Sequence, residues 1–167
     1  MFQVGDQVIY GIHGVCRITA LESRRVDKRN IEYLVLDPLD QHGAQFYVPS
    51  QNQAALSKLR PVMTKEELNE LLTIDACSGT WIADENQRKL RYKELITSGD
   101  RKALLQLVYC LHKHKKEQEL AGKKIHLCDQ NFLKDAEKLL NSEFALILNI
   151  SENDAADFIR NTLEAKK

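Results

Sequence analysis

Apolar residues follow two different periods along the chain, and the change falls near residue 64. Before it they alternate or cluster in short runs. Val8-Ile9-Tyr10 reads as a short strand ending at Gly11 and Gly14, with His13 between them. From Val15 to Val26 the period is two, which predicts a strand. Val15, Arg17, Thr19 and Leu21 should point one way, and Cys16, Ile18, Ala20 and Glu22 the other. Val26-Asp27-Lys28-Arg29-Asn30 is a charged hairpin turn, and Ile31 to Leu36 follows as a strand rich in β-formers. Pro38 and Asp40-Gln41-His42-Gly43 supply another turn, Ala44 to Val48 a fourth strand closed by Pro49, and Leu59 to Val62 a fifth. Short strands with turns at this spacing predict a small, strongly bent antiparallel barrel.

From Thr64 the period is helical. Thr64-x-x-Glu67 is a capping box, and Leu68, Leu71 and Leu72 form the stripe behind it. Asp75-Ala76-Cys77-Ser78-Gly79-Thr80 is small and polar and reads as a linker. Asp84 or Glu85 starts the next helix, which runs through Ile96 and ends at Ser98-Gly99. Asp100 caps a helix to about Leu120, stopped by Ala121-Gly122, with Leu104, Leu105, Val108 and Leu111 inward. Asp129 is expected to cap the following helix, and Ser151 the last. The fold class is therefore α+β with two domains. The expected boundaries are a β domain over 1–62, a helix and linker over 63–80, and a compact helical domain over 81–167.

Composition changes this picture little. With 43% hydrophobic and 29% charged residues the chain is ordinary globular protein, which excludes wholesale disorder. No apolar run approaches the length of a membrane span, and the N-terminus lacks the features of a signal peptide, so a cytoplasmic protein is expected. Cys16, Cys77, Cys110 and Cys128 are scattered and are expected to be reduced thiols.

Charge changes it more. The formal net charge is zero, with 24 basic and 24 acidic side chains, which argues against attraction to phosphates only if the charge is evenly spread. It is uneven. Residues 1–76 carry a net −2, residues 77–125 a net +5 and residues 126–167 a net −3. The basic stretch holds Arg88, Lys89, Arg91, Lys93, Arg101, Lys102, Lys113, Lys115 and Lys116. Asp84–Arg88 and Glu85–Lys89 are favourable pairs four apart, whereas Arg88–Arg91 and Lys89–Lys93 repel. The run is either a solvated face or a seat for a polyanion. Trp81, the only tryptophan, stands at the mouth of that helix. It is either a core anchor or an exposed aromatic that stacks on a nucleobase step.

Candidate chemistry is otherwise sparse. Cys110-x-His112-x-His114 and His126-x-Cys128 offer potential metal ligands, but not at the pairwise spacing of a structural zinc site, so no metal is expected. Gly5, Gly11 and Gly14 build no phosphate loop, and neither Gly-x-Ser-x-Gly nor His-Glu-x-x-His occurs. No enzyme, cofactor or small-molecule substrate is expected.

Several segments together resemble the CarD/CdnL family of bacterial transcription regulators. They are Phe2-x-Val4-Gly5-Asp6-x-Val8-x-Tyr10-x-x-His13-Gly14-Val15, Glu32-Tyr33-Leu34-Val35-Leu36 and Val48-Pro49. The likeness continues in Arg88-x-x-Arg91-Tyr92, Leu95-x-x-Ser98-Gly99-Asp100 and Ala136-x-x-Leu139-Leu140-x-x-Glu143. The N-terminal motif is shared with transcription-repair coupling factors, and the motor-free helical domain is the mark of the CarD-like regulators. The resemblance implies a Tudor-like barrel that binds the RNA polymerase β subunit, with Arg24, Val26 and Tyr47 at the contact. It also implies a helical domain that meets promoter DNA, weakly and without sequence specificity, at the upstream edge of the bubble. There Trp81 would act as a wedge that stabilises the open complex. Charge adds Arg88, Lys89, Arg91, Lys93, Lys113, Lys115 and Lys116 as candidate DNA contacts. The alternative is an adaptor docking on polymerase with no direct DNA role.

Overall fold

The computed structural model describes residues 2–73 and 81–165. The linker expected at 75–80, with Cys77, lies outside them. The chain divides into two compact units, 1–62 and 63–167.

The first unit is an antiparallel sheet of β1 (Gln7–Tyr10), β2 (Val15–Val26), β3 (Arg29–Pro38), β4 (Phe46–Pro49) and β5 (Leu59–Pro61), in the order β4-β3-β2-β1-β5. The five expected strands are present. Among the described residues no ladder joins β4 to β5, so backbone hydrogen bonds do not close the sheet into a barrel. Between these two edges in the chain lies α1 (Gln53–Leu56), a single turn absent from the sequence reading, which lays Ala55 and Leu56 on the core. Asn52 starts it by accepting from the Ala55 N–H at 3.2 Å. Val8, Cys16, Ile18, Leu34, Leu36, Val48 and Leu59 form that core. Burial, helped by Asp40 and Asp37, pushes the Cys16 thiol up to about 11, which leaves it protonated and unreactive at neutral pH.

The strict alternation expected along β2 breaks at one place. The register shifts between Ile18, which pairs with Leu36, and Ala20, which pairs with Val35. One extra residue on β2 reverses the side to which every later residue points. Cys16 and Ile18 are buried in the core, but beyond the shift Ala20, Glu22, Arg24 and Val26 turn to the opposite face. Leu21, paired with core residue Leu34, lies past the edge of the core and is half-exposed.

The β2–β3 hairpin closes tightly on Asp27 and Lys28, with φ of 47° and 66°. Successive positive φ values suit a type I′ turn and favour glycine over lysine. Lys28→Gly is expected to stabilise the first unit by about 0.5–1 kcal/mol. A thermal unfolding midpoint that does not rise would contradict this.

The second unit contains α2 (Lys65–Leu72), α3 (Glu85–Ser98), α4 (Arg101–Leu120), α5 (Leu127–Leu148) and α6 (Glu152–Glu164). Helix α5 is central. Its Leu133, Ala136, Leu140 and Phe144 meet apolar residues of the other helices, including Leu68, Tyr92, Leu105 and Ile159. Thr64 and Glu67 make the expected capping box, and Asp84, Asp100 and Ser151 accept the N–H groups of the first turns of α3, α4 and α6. Gly99, at φ 65°, ends α3 in the left-handed conformation and lets Asp100 open α4 at once.

One cap is not where the sequence placed it. Helix α5 begins at Leu127, and His126 precedes it without a side-chain cap bond. Asp129 sits inside the first turn and is fully buried. A guanidinium fork offers its carboxylate two charge-assisted bonds, against the single N–H bond of a cap.

Candidate functional site

Two surfaces carry the predicted site residues, one in each unit. In the first unit the β2 register shift decides the geometry. Ala20 pairs with Val35, which pairs in turn with Tyr47, while Glu22 pairs with Tyr33 and Tyr33 with Pro49. Paired residues share a face, so Tyr47, Tyr33, Glu22, Arg24 and Val26 all stand on the face opposite the core. The Arg24 guanidinium lies 4.0 Å from the centre of the Tyr47 ring, and Tyr33 meets that ring edge-on at 6.4 Å. Arg24 also donates to Glu22 at 3.1 Å, which raises its pKa further above the ordinary value. Val26 is 40% exposed. The structure thus brings Arg24 and Tyr47 into contact, with Val26 further along the same face, at the hairpin end. The arrangement is an aromatic and cationic patch across β2, β3 and edge strand β4, suited to contact with another protein.

In the second unit the predicted residues separate. Arg88 is 3% exposed, and its guanidinium donates to both oxygens of Asp129 at 2.9 Å and to the carbonyls of Ile82 and Ala83. The expected pair with Asp84 does not form, because Arg88 is turned inward while Asp84 caps α3. Arg88 therefore presents no charge to the surface, contrary to the sequence expectation. It bolts the lead-in of α3 to α5.

The same guanidinium lies 4.5 Å from the Trp81 ring centre. Trp81 is half-buried against the helical core and stacks on His114, with centroids 3.7 Å apart and planes inclined by 16°. Burial in this stack, with Arg88 adding to it, lowers the His114 pKa despite the opposing pull of Asp129. The shift favours the neutral imidazole beside a guanidinium. Flanked by His114 and Arg88, Trp81 has the character of an anchor, and the ring is only partly exposed.

The remaining cations stay outside. Lys89 pairs with Glu85 at 2.9 Å and Arg91 with Glu94 at 3.5 Å, both as exposed helical pairs. Lys93, Lys113 and Lys116 are exposed, and Lys115 is half-buried. Lys89, Arg91 and Lys93 belong to α3, and Lys113, Lys115 and Lys116 to the second half of α4.

Among the described residues no three histidine, cysteine or acidic side chains gather as metal ligands. His112 pairs with Glu137, His114 stacks on Trp81, and the Cys128 thiol lies 3.9 Å from the Glu85 carboxylate. No described helix is long and apolar enough to cross a membrane.

Sequence reasoning missed a second buried carboxylate. Glu143, 3% exposed, accepts from Arg101 at 2.7–3.0 Å and from the Met63 backbone N–H at 3.0 Å. Asp129, Leu133, Ala136, Leu140 and Glu143 share one inward stripe of α5, and Arg88 shares a stripe with Tyr92 and Ile96 on α3. A charged residue within an apolar stripe was the available signal.

Residues 2–63 match the CarD-like/TRCF RID domain and residues 75–160 the CarD C-terminal domain. This pairing, on an antiparallel sheet followed by a helical unit, defines an RNA polymerase-interacting transcription factor, a regulator of transcription and not an enzyme. The chain belongs to the CarD family.

Proposed function

We propose that the outer sheet face around Arg24, Val26 and Tyr47 docks on the β subunit of RNA polymerase, and that the helical unit then touches promoter DNA. The observation that carries the first step is the shared face imposed by the β2 register shift. A groove of about 560 Å³ runs by Ile31, Glu32, Pro49 and Asn52, and edge strand β4 adds backbone groups for strand pairing. The work is cytoplasmic, where bacterial polymerase acts.

For the second step Lys89, Arg91, Lys93, Lys113, Lys115 and Lys116 supply phosphate contacts at the upstream edge of the bubble, and Trp81 an aromatic contact beside them. Arg88 is left out, since its charge is spent on Asp129. Affinity for free DNA is low and indifferent to sequence, and tethering to polymerase raises the local concentration. Holding the open complex by about 1.4 kcal/mol would multiply its population roughly tenfold.

A second reading has one observation in its favour. The stacking of Trp81 on His114 and Arg88 suits an adaptor in which this residue only stabilises the helical unit.

The test joins a β-subunit pull-down to the lifetime of promoter open complexes under competitor challenge. Arg24→Glu combined with Tyr47→Ala is expected to abolish capture of the β subunit. Trp81→Ala should leave capture intact and shorten the lifetime. Failure of the wild-type chain to bind polymerase β would overturn the docking step. Unchanged lifetimes with folded Trp81→Ala would remove the aromatic contact, and lifetimes that the wild-type chain itself leaves unchanged would establish the adaptor instead.

A further inference from the structure

Helices α4 and α6 both pack on α5, and between them lies a groove of about 390 Å³. That volume lies in the range of small-ligand sites. Lys113, Lys115 and Lys116 reach it from α4 and Arg160 from α6, while Tyr109 and Leu163 supply apolar surface. On α4, Tyr109, His112, Lys113 and Lys116 follow the 3–4 spacing of one helical face. Cations crowded along one groove repel one another, and an anion placed between them relieves that repulsion. Arg160 leans on Asp157 at 3.6 Å, but both side chains are more than half exposed, so solvent screens the pair and leaves the guanidinium able to turn. The His112 ring is held by Glu137 and forms a fixed part of the wall.

We infer that this groove binds a free nucleotide. Phosphates meet the lysines and Arg160, and the base lies against Tyr109 and Leu163. Glu119 and Glu164 also line the groove. They oppose a bare polyphosphate, but they can accept hydrogen bonds from ribose hydroxyls or an exocyclic amine. The groove therefore prefers a nucleotide to inorganic phosphate. The inference goes beyond the transcription reading, and it stands without DNA contact although the lysines are shared.

The test uses the full chain, free of DNA and polymerase, with ATP as the probe and backbone amide spectra as the readout. ATP is expected to shift the amides of α4 and α6 around the groove, with tripolyphosphate binding more weakly. Arg160→Ala combined with Lys116→Ala should weaken ATP binding roughly tenfold. Far-UV circular dichroism checks that this variant is folded, and Arg160→Ala alone serves if it is not. Absence of ATP binding, equal binding of tripolyphosphate, or affinity untouched by these substitutions would overturn the inference. A duplex promoter fragment forms the last arm. Amide shifts in the groove with the duplex but not with ATP would also overturn it, and would assign these cations to the DNA backbone.

Discussion

Asp129→Ala is expected to destabilise the helical unit by about 3–5 kcal/mol, the cost of leaving a buried charge without its partner. Arg88 would keep the carbonyls of Ile82 and Ala83 but lose both carboxylate oxygens in a site closed to water. Domains are stable by only about 5–15 kcal/mol, so this one side chain can decide whether the unit stays folded at working temperature. The neutral amide in Asp129→Asn cannot serve both guanidinium nitrogens and should recover only part of the loss. Replacing the pair together, Arg88→Met with Asp129→Leu, removes the unpaired charge and should restore most of the stability. Urea unfolding followed by far-UV circular dichroism gives the ranking. Trp81 fluorescence adds a local reading, because the guanidinium lies over its ring. A single Asp129→Ala variant as stable as the wild type would refute the clamp.

Glu143→Ala should have the next largest effect, about 2–4 kcal/mol. Its carboxylate joins α5 to α4 through Arg101 and to the lead-in of α2 through the Met63 N–H. Arg101 is partly exposed, so water softens its loss, whereas the Met63 amide is buried and cannot recover its partner. Helix α2 should therefore loosen first, since the Met63 N–H leads into it and Leu68 and Leu71 hold it to the core by packing. Glu143→Gln keeps an acceptor and should lose about half as much. Hydrogen exchange at Met63 and along α2 is the direct measurement. Exchange rates unchanged in Glu143→Ala would show that the carboxylate does not hold this end.

Both predictions concern residues whose roles differ from the plain reading of the sequence, and the differences have physical causes. Period two and helical spacing are properties of neighbouring residues, so the strands, the five longer helices, the capping box at Thr64 and the caps at Asp100 and Ser151 are legible, whereas the single turn α1 is too short to show a period. Local spacing predicts Asp129 as a cap, because an acidic residue before an apolar run usually caps a helix. Its actual partner is 41 residues away and could not enter a local argument. Arg88 looks like a surface cation for the same reason.

The face proposed for docking follows the same division. The identities of Arg24, Val26 and Tyr47 were available from family resemblance, but their presence on one face was not. Continued alternation would have kept Arg24 and Val26 on the side of Cys16 and Ile18. The register shift at Ile18/Ala20 reverses them, and such a shift depends on how β2 pairs with β3 rather than on the residues of β2 alone.

The sequence by itself determined two domains of different class, the element types, the family and the basic middle of a neutral chain. Each rests on composition or on spacing within a few residues. Tertiary structure alone decided which charges remain on the surface. Arg88 and Arg101 are drawn into contacts with Asp129 and Glu143, Trp81 is stacked on His114, and Lys113, Lys116 and Arg160 come to line one groove. A side chain's charge is available to a partner only if no nearer group has claimed it, and the nearest group is set by packing between helices far apart in the chain.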